Sequence, residues 1–174
     1  GIEVEQDTQS SLDYAVAQLE QRYNVVDPHV GDDFLKIQIG LCQAQPFYFQ
    51  MGAASGVYHG LIAGTTGSGK SSFLNRLILA ACEKYQPDEL QFFLFDYKEG
   101  IEFQIFSRLA HVPVLHLDNR DQGALLHYLG VYHAEIRQRG ELFRQHGCAS
   151  LDQYNKIAVK NRQKKLARWM MIVD

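Results

Sequence analysis

The stretch Gly64-Thr65-Thr66-Gly67-Ser68-Gly69-Lys70-Ser71 fits G-x-x-x-x-G-K-[ST] at every fixed position. That spacing has a chemical logic. Glycines let the backbone bend tightly, so successive N–H groups turn inward and can cradle a phosphate. Lys70 adds a point charge for the β/γ-phosphates, and the Ser71 hydroxyl can ligate Mg²⁺. A helix opening at the loop adds its N-terminal dipole. The motif therefore demands a strand before it and a helix after it. Tyr58-His59-Gly60-Leu61-Ile62-Ala63 has the length and apolarity of the strand. Phe73, Leu74, Leu77, Ile78, Ala81, Cys82 and Tyr85 recur at helical spacing, and Pro87 stops the helix. A Gly/Ser-rich turn without ligand is the competing interpretation, and the strand–loop–helix context speaks against it.

The rest of the chain allows one domain with a sizeable core at 174 residues. A net charge of −3 gives no bulk field toward nucleic acid or membrane, so any polyanion contact must be local. No apolar run reaches membrane-spanning length, and no signal-peptide pattern opens the chain. Cys42, Cys82 and Cys148 are scattered without C-x-x-C, which points to reduced thiols in a cytoplasmic setting. His59, His111, His116, His127, His133 and His146 have neither H-E-x-x-H nor finger spacing, so zinc is not expected.

In chain order, 1–10 reads as polar and frayed. A helix is expected from a cap at Ser10 or Ser11, with the stripe Leu12, Ala15, Val16, Leu19, Tyr23. Residues 24–32 read as a loop. Strands at 34–42 and 46–51 make a hairpin-like lead-in, and 52–56 is small and flexible. After the loop and its helix, Leu90 to Phe95 is almost continuously apolar and ends at Asp96, the signature of a strand buried on both faces of a parallel sheet. A short helix is expected over 101–108. A strand over 111–117 ends at Asp118, and Pro113 confines it to an edge or a short length. The longest helical pattern runs from 119 to 146, with Leu125, Tyr128, Leu129, Tyr132, Ile136 and Phe143 as its buried stripe and Gly147 at its C′ position. Further helical turns are expected over 151–157. Trp169 to Val173 reads as a buried strand ending at Asp174.

Alternating strands and helices imply an α/β fold with a mainly parallel sheet flanked by helices and right-handed crossovers. Ligands in such sheets sit beyond the carboxyl ends of the strands, where the loop would meet Asp96, Asp118 and Asp174. An apolar run ending in Asp well downstream of a P-loop is the Walker B pattern, so Asp174 is assigned to the Mg²⁺ of the nucleotide. For Asp96 and Asp118 a turn role stands level with a metal role. Lys98 could approach the nucleotide or be solvated, and is read as solvated first. The basic run Lys156, Lys160, Arg162, Lys164, Lys165, Arg168 is read as a solvated surface first, and otherwise as the best local patch for a polyanion.

His59 to Ser71 resembles the Walker A segment of the FtsK/SpoIIIE motor family, within the larger FtsK–HerA group. Asp96-Tyr97-Lys98-Glu99-Gly100 is similar to the family's Asp-x-Lys element. Glu135-Ile136-Arg137-Gln138-Arg139, Leu142-Phe143, Gly147, Leu151 and Tyr154-Asn155 are similar in type and spacing to the helix before its Walker B strand. This last stretch discriminates most, because Walker A is shared by many ATPases. No Arg-rich lid of a small-molecule kinase follows the loop.

The resemblance implies a RecA-like P-loop ATPase domain over 33–174, behind an N-terminal helix and linker at 1–32. ATP would be held by Gly64, Thr65, Thr66, Gly67, Ser68, Gly69, Lys70, Ser71 and Ser72. Lys70 and Asp174 would be catalytic, and Ser71 and Asp174 would hold Mg²⁺. It also implies a ring, usually a hexamer, that drives double-stranded DNA through its pore. The EssC/EccC-like branch moves secreted proteins instead, and Thr65-Thr66 with Asp96 to Gly100 resembles that branch and its relatives at least as well as the DNA pumps. The family's Glu after the Walker B Asp, its later strands and its arginine finger would lie beyond Asp174. The chain is therefore expected to be a poorly active fragment of a cytoplasmic motor, with any membrane anchor outside it.

Overall fold

The computed structural model describes residues 2–22, 34–98, 103–121 and 123–174. The chain divides into two units, Gly1–Gln86 with Ile105–Ala110, and Pro87–Gln104 with His111–Asp174.

The first unit opens with α1 (Ile2–Arg22). The expected cap at Ser10 or Ser11 is not where this helix starts. Residues 2–10 contain neither Gly nor Pro, and their Glu and Gln are good helix formers, so the helix propagates back through them. Val16 and Leu19 of the expected stripe are buried. Tyr23 and the loop at 24–32 lie outside the described residues. Strands β1 (Lys36–Cys42) and β2 (Gln45–Gln50) form the expected antiparallel hairpin. They turn at Gln43 and Ala44, whose φ angles of 49° and 62° belong to the mirror-image turns that match strand twist. Leu35 and Ile37 point into the core. The alternation stops at Ile39, where the register shifts between Gln38 and Gly40.

Helix α2 (Lys70–Lys84) follows the loop as expected. Its buried face is wider than one stripe, because Leu79 and Ala80 are covered along with Leu74, Leu77, Ile78, Ala81 and Cys82. Tyr85 ends it in an extended conformation, just ahead of Pro87. The Tyr85 ring lies 4.6 Å from that of Phe34, and its hydroxyl accepts from the Lys36 backbone N–H at 3.2 Å. Lys84 Nζ donates to the Lys36 carbonyl at 2.8 Å, which ties the helix end to β1. A 3-10 helix (Gln104–Arg108) takes the place of the short helix expected over 101–108. Its Arg108 donates to Glu20 of α1 at 2.6 and 3.2 Å.

One expectation for this unit is corrected. Tyr58 to Ala63 is not a strand, and Leu61 is 95% exposed. Apolar length alone does not make a strand, since a ladder needs a neighbour. Among the described residues no strand lies beside 58–63, and the only bridge nearby joins Val57 to Gly52.

The second unit is a three-stranded parallel sheet, β4-β3-β5, built from β3 (Leu90–Phe95), β4 (Val114–His116) and β5 (Arg168–Val173). Central β3 is the strand read as buried on both faces, and Phe92, Leu94 and Phe95 have no exposure. β4 is short and on the edge, as Pro113 dictates. β5 is only half-buried, less than expected of it. Helix α3 (Gly123–Gln145) meets the sheet through aromatic rings. Phe93 lies 5.1 Å from Tyr132, 6.2 Å from Tyr128 and 4.7 Å from Trp169, centroid to centroid. The expected buried stripe is corrected here: no residue of α3 is fully buried, Leu125, Tyr128, Tyr132 and Phe143 are half-buried, and Leu129 and Ile136 are 47% and 65% exposed. α3 closes at Gly147 (φ 64°) with Cys148 N–H donating to Phe143 O and Gly147 N–H to Arg144 O, a Schellman end. α4 (Leu151–Lys160) is longer than expected and is capped by Ser150, whose Oγ accepts from Gln153 N–H.

This packing makes a stability prediction. Phe93→Ala, which empties a site walled by Tyr128, Tyr132 and Trp169, should cost about 3–5 kcal/mol in urea unfolding. Ile136→Ala on the exposed face should stay within about 0.5 kcal/mol. Equal losses would contradict the assignment of core and surface.

Candidate functional site

The glycine-rich loop folds by local rules. Ser68 N–H donates to Thr65 O at 3.0 Å and closes a turn. Gly67 and Gly69 have φ of 79° and 89°, a region where a Cβ is strained. Gly69 is the N-cap of α2 and supplies no side-chain cap. The amides of a first helical turn have no acceptor within the helix, and the first rung here is Phe73 N–H to Gly69 O at 2.9 Å. No acidic residue occupies that turn. The helix start therefore presents donors and partial positive charge, with no carboxylate to repel an anion. A Cβ on Gly64 would lie 2.2 Å from Ser68 Oγ and 3.1 Å from its Cβ, so a larger residue there would force the Ser68 side chain to turn away. Residues 61–69 and Ser72 are exposed, whereas Lys70 and Ser71 are half-buried. These features fit the phosphates of a nucleotide.

The second set of residues sits at the carboxyl edge of the sheet. Register pairs Phe95 with Val173 on one side and with His116 on the other. Asp96, Asp174 and the 117–120 segment thus leave the sheet at one level. Backbone bonds fix them: Asp96 N–H to His116 O, Tyr97 N–H to Asp174 O, and Asp174 N–H to Phe95 O, all at 2.9 Å.

Asp96 is buried, and its Oδ1 accepts from Lys98 N–H at 3.0 Å. Asp118 Oδ1 accepts from Arg120 N–H at 2.9 Å. Both carboxylates thus serve turns two residues on, which is the turn role expected of an Asp just past a strand end. Asp174 differs. Its side chain is only 6% exposed, and Lys98 Nζ lies 3.2 Å from its Oδ1. Lys98 is 63% exposed, as a solvated lysine would be, yet it reaches across to this carboxylate. Asn119 Nδ2 donates to the Lys98 carbonyl at 3.0 Å. The Lys98–Asp174 pair and Asn119 were missed in the sequence. The Asp-x-Lys spacing was the available signal for Lys98, whereas nothing local marks Asn119. Glu99 and Gly100 lie outside the described residues.

The discriminating stretch from Glu135 to Asn155 grips the lead into β5. Arg139 Nη1 donates to Ala167 O at 2.7 Å, its Nε to Glu135 at 2.7 Å, and its guanidinium lies 5.2 Å from the Trp169 ring. Asn155 brackets Leu166 with two bonds, 2.9 Å from Leu166 N–H and 3.0 Å to its carbonyl. The ring of Tyr154 lies 5.8 Å from that of Phe143. These residues hold the strand that carries Asp174.

The basic run is not one open patch. Lys165 pairs with Asp88 at 3.1 Å, and Arg168 with Asp152 at 2.6 Å, although no acid interrupts the run in sequence. Lys156, Lys160, Arg162 and Lys164 are exposed. Cys82 is buried, and burial, then the nearby Glu83 charge, pushes its thiol far above the usual range, so it is no nucleophile. Among the described residues no cluster of His, Cys, Asp and Glu could by itself hold a metal, and no helix is long and apolar enough to cross a membrane.

A profile described as FtsK/SpoIIIE family matches residues 18–172. The Type VII secretion system protein EssC of Staphylococcus aureus (strain NCTC 8325 / PS 47) is 39% identical over 99 residues, covering 57% of this chain and 7% of EssC. The ESX secretion system protein YukB of Bacillus subtilis (strain 168) is 35% identical over 101 residues, with the same coverage, 57% and 7%. The solved cytoplasmic domain of the Thermomonospora curvata Type VII secretion ATPase EccC matches with a TM-score of 0.73 and 29% identity. That match covers 87% of this chain and 18% of that one. The chain thus corresponds to a small part of the curated relatives.

At the loop itself, Gly69→Ala should cost about 1–2 kcal/mol from backbone strain alone, since no atom lies within 4 Å of the added Cβ. Denaturant midpoints of the two proteins check this. No loss would mean that the left-handed cap is not held in solution.

Proposed function

The chain belongs to the FtsK/SpoIIIE family, and on that footing we propose that it is a nucleotide-binding ATPase domain of the EssC/EccC secretion type. The expectation of a DNA pump gives way here, because the relatives reported above are secretion-system proteins. The observation that carries the ATPase reading is the loop Gly64–Ser71 leading into α2 through a left-handed Gly69, with no acid in the first turn.

In this reading the amides of Thr65 to Ser72 bind the phosphates of ATP. The Lys70 ammonium neutralises charge that develops as the β–γ bond breaks. The Ser71 hydroxyl and the Asp174 carboxylate are the residues for Mg²⁺, which when bound offsets the phosphate charge. Glu135, Arg139 and Asn155 act through β5, as supports for Asp174. We assign 33–174 to the ATPase domain and 1–32 to a helix and linker ahead of it. The cargo is a secreted protein, and the working form is a ring of ATPase domains.

Two measurements on the full-length protein test this. Lys70→Ala should lower ATP hydrolysis by about 100-fold or more, and equal turnover would remove the mechanism. Hydrolysis should rise with a secreted substrate protein and ignore duplex DNA. Stimulation by duplex DNA instead would return the DNA pump to first place.

A further inference from the structure

We propose that Lys98 is a resident counter-ion of Asp174, competing with the divalent cation for that carboxylate and so raising the Mg²⁺ concentration at which nucleotide binds tightly. The inference rests on the ATPase reading above and deepens it at one residue. Three observations carry it. First, the Lys98 ammonium lies 3.2 Å from Asp174 Oδ1, on a carboxylate whose side chain is 6% exposed. A carboxylate so shielded from water needs a compensating charge. Second, Lys98 is not an incidental surface lysine. Its N–H is bonded to buried Asp96 and its carbonyl to Asn119, at 3.0 Å each, so its backbone is tied on both sides of its Cα. Third, that side chain is 63% exposed, so it can leave for water at little desolvation cost.

An ammonium and a hydrated divalent ion cannot share one carboxylate oxygen without repulsion. Whichever is bound excludes the other, and the effective Mg²⁺ affinity is reduced by the stability of the ion pair. Asp96 gains a role from this. Its buried carboxylate is a positioning group that aims Lys98.

The test is nucleotide binding, read by fluorescence of a labelled ATP analogue on the full-length protein while Mg²⁺ is titrated, with an EDTA arm. Lys98→Met should lower the Mg²⁺ midpoint about two- to fivefold, the size expected of a partly exposed ion pair. Affinity in EDTA should stay within about twofold of the parent, and Lys98→Arg, which keeps the charge, should keep the parent's midpoint. An unchanged or raised midpoint in Lys98→Met would overturn the proposal. So would equal weakening with and without Mg²⁺, which would make Lys98 a direct phosphate contact. Failure of the parent to bind the analogue better than Lys70→Ala would overturn the ATPase reading itself, and this inference with it.

Discussion

The hydrogen-bond ladder of β3 is the constraint on which the second unit depends. Parallel pairing on both sides leaves β3 no freedom of register, and its apolar side chains leave it no face for water. Each fully buried Phe or Leu favours that arrangement by about 1.5–3 kcal/mol relative to exposure. Slipping the ladder by one residue would turn those side chains out of their packing. The same ladder decides where the chemistry sits. Because Phe95 pairs with both His116 and Val173, the residues that follow each strand emerge together. The lysine–aspartate pair and its Asn119 brace are consequences of that register.

Around this ladder, the family's diagnostic stretch turns out to be scaffolding. Arg139, held in place by Glu135 one turn back on α3, joins that helix to the start of β5 by a bond to the Ala167 carbonyl and by its guanidinium beside the Trp169 ring, and Asn155 of α4 clamps the residue just before them. The polar residues that best identify the chain therefore act on the strand, and only through it on Asp174. In the first unit, the glycine loop is positioned differently. It depends on left-handed glycines and on the start of α2, and it borrows no ladder.

What could be read in the sequence follows from how local each signal is. α2, β3 and the end of α3 were legible because apolar period, breaker residues and a C′ glycine all act within a few residues. The hairpin of β1 and β2 was legible from alternation. The strand expected at Tyr58 to Ala63 was not, because a ladder partner is a property of the whole fold and no local pattern encodes it. The exposure of Leu129 and Ile136 was hidden for a similar reason, since helical period fixes a face but not how wide the neighbour is. The start of α1 was misread because a good cap at Ser10 or Ser11 is also a tolerable helix interior. The Lys98–Asp174 and Lys165–Asp88 pairs join residues far apart in the chain, and only the fold brings them together.

The account rests on the Gly64–Ser71 bend being a receptacle for phosphate. Backbone hydrogen exchange of the full-length protein with and without Mg²⁺ and a non-hydrolysable ATP analogue measures this directly. The account predicts slowed exchange across Thr65 to Ser72 on adding the analogue. Unchanged exchange there, with protection appearing at another place in the chain, would contradict it.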